Sequence, residues 1–389
     1  MGVFLYNKAG LERSPGAFLL FLQSLSPKLP AAASKATKTT IQSPNNRRRL
    51  SFNMAKKKRK RRRGCAHFLF CWLLILLGLG GGAFYAWRVL GSYEYNPINE
   101  DNLAVSAASQ QYADKVTNIA LFGVDSRAGE GSRSDAMMIL SVDSKRGCIK
   151  LSSLMRDAYV AVDGHGQTKL CHAYAYGGPE LAVKTINQNF QMDIREYATV
   201  NFTQMADIVD AVGGVELEVS EGEMEEANKA LWEYCVLNDL IWDDYKFTAP
   251  GLQTLNGPQA VAYGRIRKGS TGGDGARTGR QQEILEKMLQ KALDMSALKY
   301  PALAARLMPL VETSMSAADL LGLAAQVLSH GRPQIQRATF PCEGDWSDKT
   351  TSSGLSVVAY DDALAVDRLH KFIYDDISIA DQKAAENQP

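Results

Sequence analysis

The sequence is poor in cysteine and lacks the cysteine patterns that mark metal sites. Six cysteines occur in 389 residues, without a CxxC pair or a Cys/His spacing typical of zinc. Two lie in an apolar segment, and the other four are scattered along the chain; they are Cys65, Cys71, Cys148, Cys171, Cys235 and Cys342. We therefore predict small apolar core or loop cysteines. A disulfide among them stays open, but no spacing supports one.

Acidic residues are almost absent from the first 64 positions, which contain 16 lysines and arginines but only one acidic residue, Glu12. The formal net charge of +2 therefore hides a segregated distribution, because the rest of the chain carries 28 basic against 41 acidic residues. An acidic body argues against nucleic acid as the main ligand, since binding to the phosphate backbone needs a basic face. Half of the fourteen arginines after residue 64 nevertheless lie in short clusters, which suggests one anionic ligand. Clustering by chance around exposed loops is the alternative.

Charged residues are also missing from residues 65–87, a run of 23 positions without Asp, Glu, Lys or Arg. As a helix this run would be roughly 34 Å long at about 1.5 Å per residue, enough to cross the apolar core of a bilayer. The eight basic residues 56–63 before it place the amino terminus in the cytoplasm by the positive-inside rule, and the chain after Arg88 outside the cell. A cleaved signal peptide, with residues 80–83 at its cleavage site, is one alternative. A nuclear-localisation or nucleic-acid patch at residues 56–63 is another.

The segments around this run have distinct compositions. Residues 1–53 are rich in Ser, Ala, Pro, Lys and Asn, which is typical of disorder. Met54 begins MAKKKRKRRRG and is a plausible translation start, with a genuine cytoplasmic tail of 64 residues as the alternative. Residues 88–114 are polar and indicate a linker or helical stalk. We place a globular domain at residues 115–375 and a frayed polar tail at 376–389.

Within the globular domain, apolar runs separated by turn residues predict strands that alternate with helices, which indicates a layered α/β sheet. The predicted strands are residues 118–124, 136–142, 148–154, 159–162, 197–202, 215–219, 334–340 and 355–360. Helices are predicted from Pro179, from residue 203 with Thr203 as the cap, from about residue 277 to 293, and over 300–311, 317–328 and 362–374.

The first three predicted strands deliver charged side chains at their ends. These are Asp125 and Arg127 after the first, Arg133 and Asp135 before the second, and Arg156 and Asp157 after the third. Such a set suits a metal ion and a phosphate-rich ligand, because Mg²⁺ prefers carboxylate and phosphate oxygens and the arginine fork matches phosphate. Salt bridges between loops are an equally good interpretation of this stretch alone.

A second basic block lies more than a hundred residues later, at residues 260–282. As a strand, it would place Arg265 and Arg267 on one face, where like charges repel unless an anion or carboxylates lie between them. Arg277 and Arg280 are three residues apart, hence neighbours at the start of a helix, where cations oppose the helix dipole. That cost is understandable if the helix end and the arginines bind a phosphate jointly. Solvation at the surface is the alternative.

Seven motifs, taken together, resemble the LytR–CpsA–Psr family of cell-envelope glycopolymer ligases. In chain order they are GVDSR, RSDAMM, the Arg156–Asp157 pair, KLCHAYAYGG, VDAVGGVE, LNGPQAVAYGRIR and GARTGRQQ. The resemblance implies an α/β/α sandwich with a central mixed sheet, behind one N-terminal transmembrane helix, that encloses an apolar pocket for a polyprenyl chain. It implies transfer of an anionic glycopolymer, such as a teichoic acid or capsular polysaccharide, from a polyprenyl-pyrophosphate carrier. The acceptor would be the 6-hydroxyl of N-acetylmuramic acid in peptidoglycan, outside the cell membrane.

The resemblance also assigns roles by motif. Asp125 and Asp135 would hold Mg²⁺, and Asp274 is the candidate base for the incoming hydroxyl. The pyrophosphate would be gripped by basic and amide side chains, namely Arg133, Arg156, Arg265, Arg267, Arg277 and Gln281, with Arg127 and Arg280 as secondary members. No Ser/His/Asp nucleophile is evident, and His172 is expected to have a structural hydrogen-bonding role.

The chain departs from the family pattern near the site. Met155 and Ala158 replace the usual Pro and Thr around the Arg-Asp pair, Cys171 stands where Asn is common, and no aromatic follows Asp274. None of these changes removes a charged ligand. Two other functions stay open: hydrolysis of the carrier pyrophosphate, and a lipid-binding envelope regulator or transcriptional attenuator. An attenuator that contacts DNA would need its domain in the cytoplasm, against the predicted topology.

Overall fold

The computed structural model describes residues 91–125, 133–266, 274–329 and 331–386. The predicted membrane span at residues 65–87 and the basic segment before it lie outside these ranges. Among the helices within them, none is long and apolar enough to cross a bilayer.

A seven-stranded mixed sheet forms the centre of the described part. Its strands are β1 Glu94–Tyr95, β2 Val116–Asp125, β3 Arg133–Asp143, β4 Cys148–Leu154, β7 Glu196–Asn201, β10 Glu312–Thr313 and β11 Gln334–Phe340. They lie in the order β1-β10-β7-β2-β3-β4-β11. The pairs β1–β10, β7–β2 and β4–β11 are parallel, and the other three are antiparallel. The predicted central mixed sheet is confirmed.

Three two-stranded ribbons, ten α-helices, four short 3-10 helices and one π-helical segment, Lys371–Asp375, complete the described ranges. The ribbons pair β5 Tyr159–Val162 with β6 Gly166–Lys169, β8 Val215–Val219 with β9 Gly251–Leu255, and β12 Trp346–Thr350 with β13 Ser356–Tyr360. The helices are α1 Ala107–Gln110, α2 Leu170–Phe190, α3 Phe202–Ala211, α4 Glu221–Leu237, α5 Gly257–Gly264, α6 Asp274–Leu293, α7 Tyr300–Leu307, α8 Ala317–Ser329, α9 Asp362–His370 and α10 Ile379–Glu386.

The side chains of β2 alternate between two faces of the sheet, because successive residues of a strand point in opposite directions. Ala120, Phe122 and Val124 pack into a buried cluster with residues of α2 and α9. Leu121 and Gly123 face the other side, where α3, α5 and α6 contribute the opposing wall. Helices therefore cover both faces, and the second face carries the site.

Helix α2 begins at Leu170, nine residues before the start predicted at Pro179. Its two segments are separated by Gly177 and Gly178, whose backbone angles are not helical, with φ at +63° for Gly178. Pro179 then begins the second segment, in the position that its fixed φ favours. The prediction missed the first segment, whose Leu170, Cys171, Ala173 and Tyr174 are buried.

The strand predicted through Arg265 is wrong. The residues before it form α5, which Asn256 caps in a reciprocal capping box with Gln259, with Pro258 in the first turn. The apolar run of α5 is buried on all sides, and such a short run does not distinguish strand from helix by periodicity. Arg265 is the C-cap of this helix, so the strand argument for Arg265 and Arg267 fails.

One further difference concerns the start of α3. Asn201, not Thr203, caps this helix through a capping box with Gln204.

The remaining differences concern the edges of the domain. Within residues 91–114, predicted as a linker, β1 pairs with β10 and Leu103 is fully buried. The predicted frayed tail contains α10, whose Gln382 is buried. The packed domain therefore extends beyond both predicted boundaries.

Candidate functional site

Two carboxylates lie at one end of the sheet because β2 and β3 are neighbours. Asp125 ends β2 and pairs with Arg133, the first residue of β3. The register shifts by one residue there, since Gly123 pairs with Ala136 but Val124 pairs with Ser134. Asp135 is thus the extra residue of a β-bulge, a feature that re-aims side chains at sheet ends and beside active sites. The bulge sets the direction of Asp135, and the sequence did not reveal it.

Arg156 reaches Asp135 across the next strand pair. Met137 pairs with Leu154 in an antiparallel register, so Asp135, two residues before Met137, and Arg156, two residues after Leu154, come to the same end of the sheet. The Nη1 of Arg156 donates to Oδ1 of Asp135. Both side chains are about four-fifths buried, with 17% and 19% exposure. Arg156 is therefore held in place by a carboxylate that is itself a predicted metal ligand.

This ion pair continues into a small network. Asp157 lies 3.8 Å from the Nε of Arg156 and 3.0 Å from the Nζ of Lys169. Lys169 was not predicted as a site residue, although it opens the KLCHAYAYGG motif. The network alternates cations and anions, so the salt-bridge interpretation and the ligand-site interpretation of this stretch describe the same residues.

His172 sits beside the network and hydrogen-bonds structurally, as expected. Its Nδ1 is 2.8 Å from Oγ1 of Thr168. Burial lowers the pKa of His172, and the charges of Arg133 and Lys169 lower it further. The two cations therefore lie close enough to disfavour protonation of His172, although Arg133 itself is exposed.

The second basic block joins the site through α5 and α6. The Nη2 of Arg265 lies 3.0 Å from Oε2 of Glu233 in α4, and its guanidinium stacks 5.2 Å from the centre of the Phe202 ring. Gln281 donates from Nε2 to the carbonyl of Gly264 at 3.3 Å. Arg277, one helical turn before Gln281, is almost fully buried. Glu233 and Phe202 were not predicted, and no sequence signal marked them.

Arg280 takes a different direction from Arg265 and Gln281. Its Nε donates to Oε1 of Glu223 at 3.0 Å, its Nη1 donates to the carbonyl of Ile266, and its guanidinium lies over the Tyr263 ring. Burial raises the pKa of Glu223, but hydrogen bonds from Ser220 and Arg280 outweigh burial and hold it below its usual value. The structure therefore places Arg280 in a buried ion pair beside the site.

An apolar cavity of about 220 Å³ lies between the sheet and helices α3, α5 and α6. Its walls are almost entirely hydrocarbon, and its few polar lining residues are Asn201, Arg265 and Gln281. The lining is contributed by Leu121, Phe122, Gly123, Ala136, Met138, Ala198, Val200, Phe202, Met205, Ile208, Ala260, Val261, Gly264, Ile284, Leu285, Met288 and Val311. Such a cavity suits an apolar chain whose polar end meets Arg265 and Gln281.

The structure does not describe the side chains of three predicted site residues. Arg127 and Arg267 lie outside the described residues. Asp274 is the first residue of α6, but its side chain is not described. The structure does bring Arg265 and Gln281 to the end of the sheet where β2 and β7 finish, because both line the same cavity as Gly123, Ala136 and Asn201. Asp125 and Asp135 lie within two residues of Gly123 and Ala136.

The donor set fits a Mg²⁺ ion that takes most of its ligands from a substrate. Asp125 and Asp135, on neighbouring strands, would supply carboxylate oxygens. Within the described ranges, no group of three or more His, Cys, Asp or Glu side chains is arranged to hold a metal. Mg²⁺ is commonly held by one or two carboxylates together with substrate phosphates, which matches two aspartates beside a cluster of arginines.

Comparison with known proteins supports the motif resemblance. The sequence profile of the LytR_cpsA_psr family matches residues 90–365. The polyisoprenyl-teichoic acid–peptidoglycan teichoic acid transferase TagU of Bacillus cereus (strain AH820) is 32% identical over 238 residues, which cover 58% of this chain and 72% of the relative. The protein of the same name from Oceanobacillus iheyensis is 31% identical over 256 residues, which cover 62% and 74%.

Solved structures share the fold of the described domain. TagT bound to LIIa-WTA has a TM-score of 0.54 and 25% identity, and the match covers 67% of this chain and 91% of that one. The crystal structure of B. subtilis TagT has a TM-score of 0.51 at 25% identity, with the same coverage.

Proposed function

The chain belongs to the LytR_cpsA_psr family, and we propose that it is a Mg²⁺-dependent phosphotransferase of cell-wall assembly. Its donor would be an anionic glycopolymer linked to a polyprenyl-pyrophosphate carrier, and its acceptor the 6-hydroxyl of N-acetylmuramic acid in peptidoglycan. The names of its TagU relatives, which are teichoic acid transferases, support this substrate class. We further propose that residues 65–87 anchor it as a single span, with the amino terminus in the cytoplasm and the catalytic domain outside.

One observation carries the proposal: an apolar cavity is lined by Arg265 and Gln281, and by Gly123 and Ala136, which lie within two residues of Asp125 and Asp135. Apart from Asn201, its polar lining residues are Arg265 and Gln281. A lipid pyrophosphate has the same division, with a long hydrocarbon chain and a compact, highly charged head. If the hydrocarbon chain of the lipid lies among the apolar walls, its pyrophosphate head would lie near Arg265, Gln281 and the strand ends that bear Asp135 and Arg156.

The chemistry follows from charge neutralisation and positioning. Oxygen O6 of the acceptor sugar would attack the phosphorus next to the donor sugar, while the bond from that phosphorus to the bridging oxygen breaks. Polyprenyl monophosphate leaves, and a phosphodiester joins the two glycans. The hydroxyl proton passes to a base, for which Asp274 is the candidate. Such transfers depend mainly on electrostatic stabilisation of the phosphoryl group, so a protein nucleophile is not needed.

The residues have separable tasks in this scheme. Arg133, Arg156, Arg265 and Arg277 would neutralise the phosphate oxygens, and Gln281 would hold the edge of the head group. Asp125 and Asp135 would hold Mg²⁺, which when bound supplies further neutralisation of the pyrophosphate. The hydrogen bond from Arg156 keeps Asp135 directed at the site.

The test is transfer by the full chain in detergent, from a lipid-linked teichoic acid precursor to purified peptidoglycan. Removal of a single charge-stabilising group typically costs about 10²–10³-fold in rate, so we expect losses of that size for Arg156→Ala and Asp135→Ala. Arg332→Ala is the matched control, because its ion pair with Asp294 is exposed. Mass spectrometry of muramidase digests would identify the 6-phosphodiester.

Three results would contradict the proposal. The first is full transfer by both site variants. The second is transfer by the wild type that is unaffected when EDTA removes divalent cations. The third is release of inorganic phosphate or free glycopolymer phosphate without any attachment to peptidoglycan, which would indicate hydrolysis of the carrier.

A further inference from the structure

An exposed apolar surface lies at the end of α4, and the proposed reaction does not use it. Its members are four large side chains that are each more than half exposed. They are Trp232, Val236, Leu237 and Ile241, with exposures of 58%, 57%, 60% and 67%. We call them the α4 patch. Trp232 and Val236 are one turn apart on the helix. Leu237 is the last residue of α4, and Ile241 follows in the loop after it.

The end of α4 contacts residues that line the apolar cavity. Glu233, next to Trp232 in α4, pairs with Arg265, which lines the cavity. Asn238, immediately after α4, accepts a hydrogen bond at 3.0 Å from Thr203, the residue after the cavity-lining Phe202. The end of α4 is therefore fixed to the start of α3, at the end of the sheet where β7 finishes.

The chain enters the domain at this same end. β1 runs parallel to β10, and β10 runs antiparallel to β7, so β1 runs opposite to β7. β7 finishes at Asn201 on the cavity end, so β1 begins there. The sequence predicts a membrane span that ends at residue 87, and the seven residues from there to Glu94 extend over at most about 25 Å.

We propose that the α4 patch sits in the interfacial region of the membrane's outer leaflet and aligns the cavity mouth with the bilayer that holds its polyprenyl substrate. Trp is favoured at membrane interfaces, where its ring contacts both apolar and polar groups. This inference rests on the proposed function for its substrate and its membrane anchor, but not for the exposed surface itself. Contact is apolar rather than electrostatic, since the patch is flanked by the exposed acids Asp239, Asp243 and Asp244.

Quenching by brominated lipid tests the contact independently of catalysis. The full chain would be placed in nanodiscs of zwitterionic lipid with brominated acyl chains, in a background where Trp72, Trp87 and Trp242 are replaced by Phe, which leaves Trp232 and Trp346. We expect strong quenching that disappears in Trp232→Phe and persists in Trp346→Phe and at high salt. Equal quenching with and without Trp232 would overturn the inference.

Transfer kinetics test the role of the contact. We expect Trp232→Glu to lower transfer from a bilayer-embedded donor by about tenfold or more, and to leave transfer from a short-chain, water-soluble donor unchanged. A tenfold change corresponds to about 1.4 kcal/mol. The control is Leu298→Glu, which places the same charge on another exposed apolar side chain, since Leu298 is 93% exposed. Leu298 follows the C-terminal end of α6, where Lys291 donates to the carbonyl of Gly214.

The remaining outcomes are also decisive. Equal losses on both donors, or no loss on either, would overturn the membrane role. A change from dimer to monomer in Trp232→Glu would assign the patch to a second copy of the chain and would likewise overturn it. If the wild type transfers from neither donor, the proposed function fails, and quenching of Trp232 still decides whether the surface contacts lipid.

Discussion

Replacing Arg280 tests whether this arginine stabilises the fold or, like the other arginines of the site, binds substrate. Its side chain is 7% exposed and pairs with Glu223 at 3.0 Å, beside the Tyr263 ring. Arg280→Met keeps the apolar stem but removes the guanidinium. Glu223 is then left partly buried without its cation.

The expected loss of stability follows from this geometry. Removing one partner of a buried ion pair typically costs about 3–5 kcal/mol. The Glu223 side chain is 16% exposed, so water recovers part of that energy and we expect a loss of about 2–3 kcal/mol. For a domain of roughly 280 residues the melting temperature should fall by about 3–5 °C.

The pH dependence has a definite sign. Because the pKa of Glu223 is lowered in the folded protein, its contribution to stability is complete above the pKa of the unfolded chain. That contribution declines as the pH falls through the folded value. The difference in melting temperature between wild type and Arg280→Met should therefore shrink at acidic pH. Most of that difference should also disappear when both proteins carry Glu223→Gln.

The assays are thermal unfolding by circular dichroism and transfer measured well below the lowest melting temperature. We expect Arg280→Met to be destabilised yet to retain transfer within a few-fold, and Arg332→Met to match the wild type in both. An Arg280→Met protein with unchanged stability and a hundred-fold loss of transfer would refute the reasoning and place Arg280 on the substrate.

Three further predictions concern packing and reactivity. Ala198→Phe should fill much of the 220 Å³ cavity, so that polyprenyl lipid no longer co-purifies while the melting temperature is kept; unchanged lipid content by mass spectrometry would show that the lipid binds elsewhere. Gly257→Ala should cost at least about 2 kcal/mol in chemical denaturation, because a Cβ there would lie 2.2 Å from the carbonyl oxygen of Ala206, whereas Gly222→Ala has open space and should stay within about 0.5 kcal/mol. Burial raises the pKa of the Cys171 thiol to about 11, so it should resist alkylation at pH 7 until the protein is unfolded, and rapid labelling of the native protein would contradict its burial.

Strands of both the main sheet and the ribbons could be predicted, because apolar runs bounded by turns are local features. β4, β5, β8 and β11 have the predicted bounds, and α6 ends at the predicted residue. The helices of the second basic block were harder. α5 is apolar all round because it is buried between neighbouring elements, and its periodicity is lost for that reason.

The site was predicted in composition but not in geometry. Motifs supplied Asp125, Asp135 and Arg156, yet the bulge that directs Asp135 arises from the pairing of two strands and leaves no local signal. The partner of Arg265 lies 32 residues earlier, and that of Arg280 lies 57 residues earlier. Such contacts depend on how helices pack, which spacing within one element does not encode.

Mass spectrometry of lipid co-purified with the detergent-extracted full chain tests the central claim most directly. The account predicts a polyprenyl phosphate or pyrophosphate in the wild type, with a head group that names the transferred polymer. The same lipid should be reduced in a double variant that removes Arg156 and Arg265. Finding only ordinary phospholipid, or a polyprenyl lipid retained in full by the double variant, would contradict it.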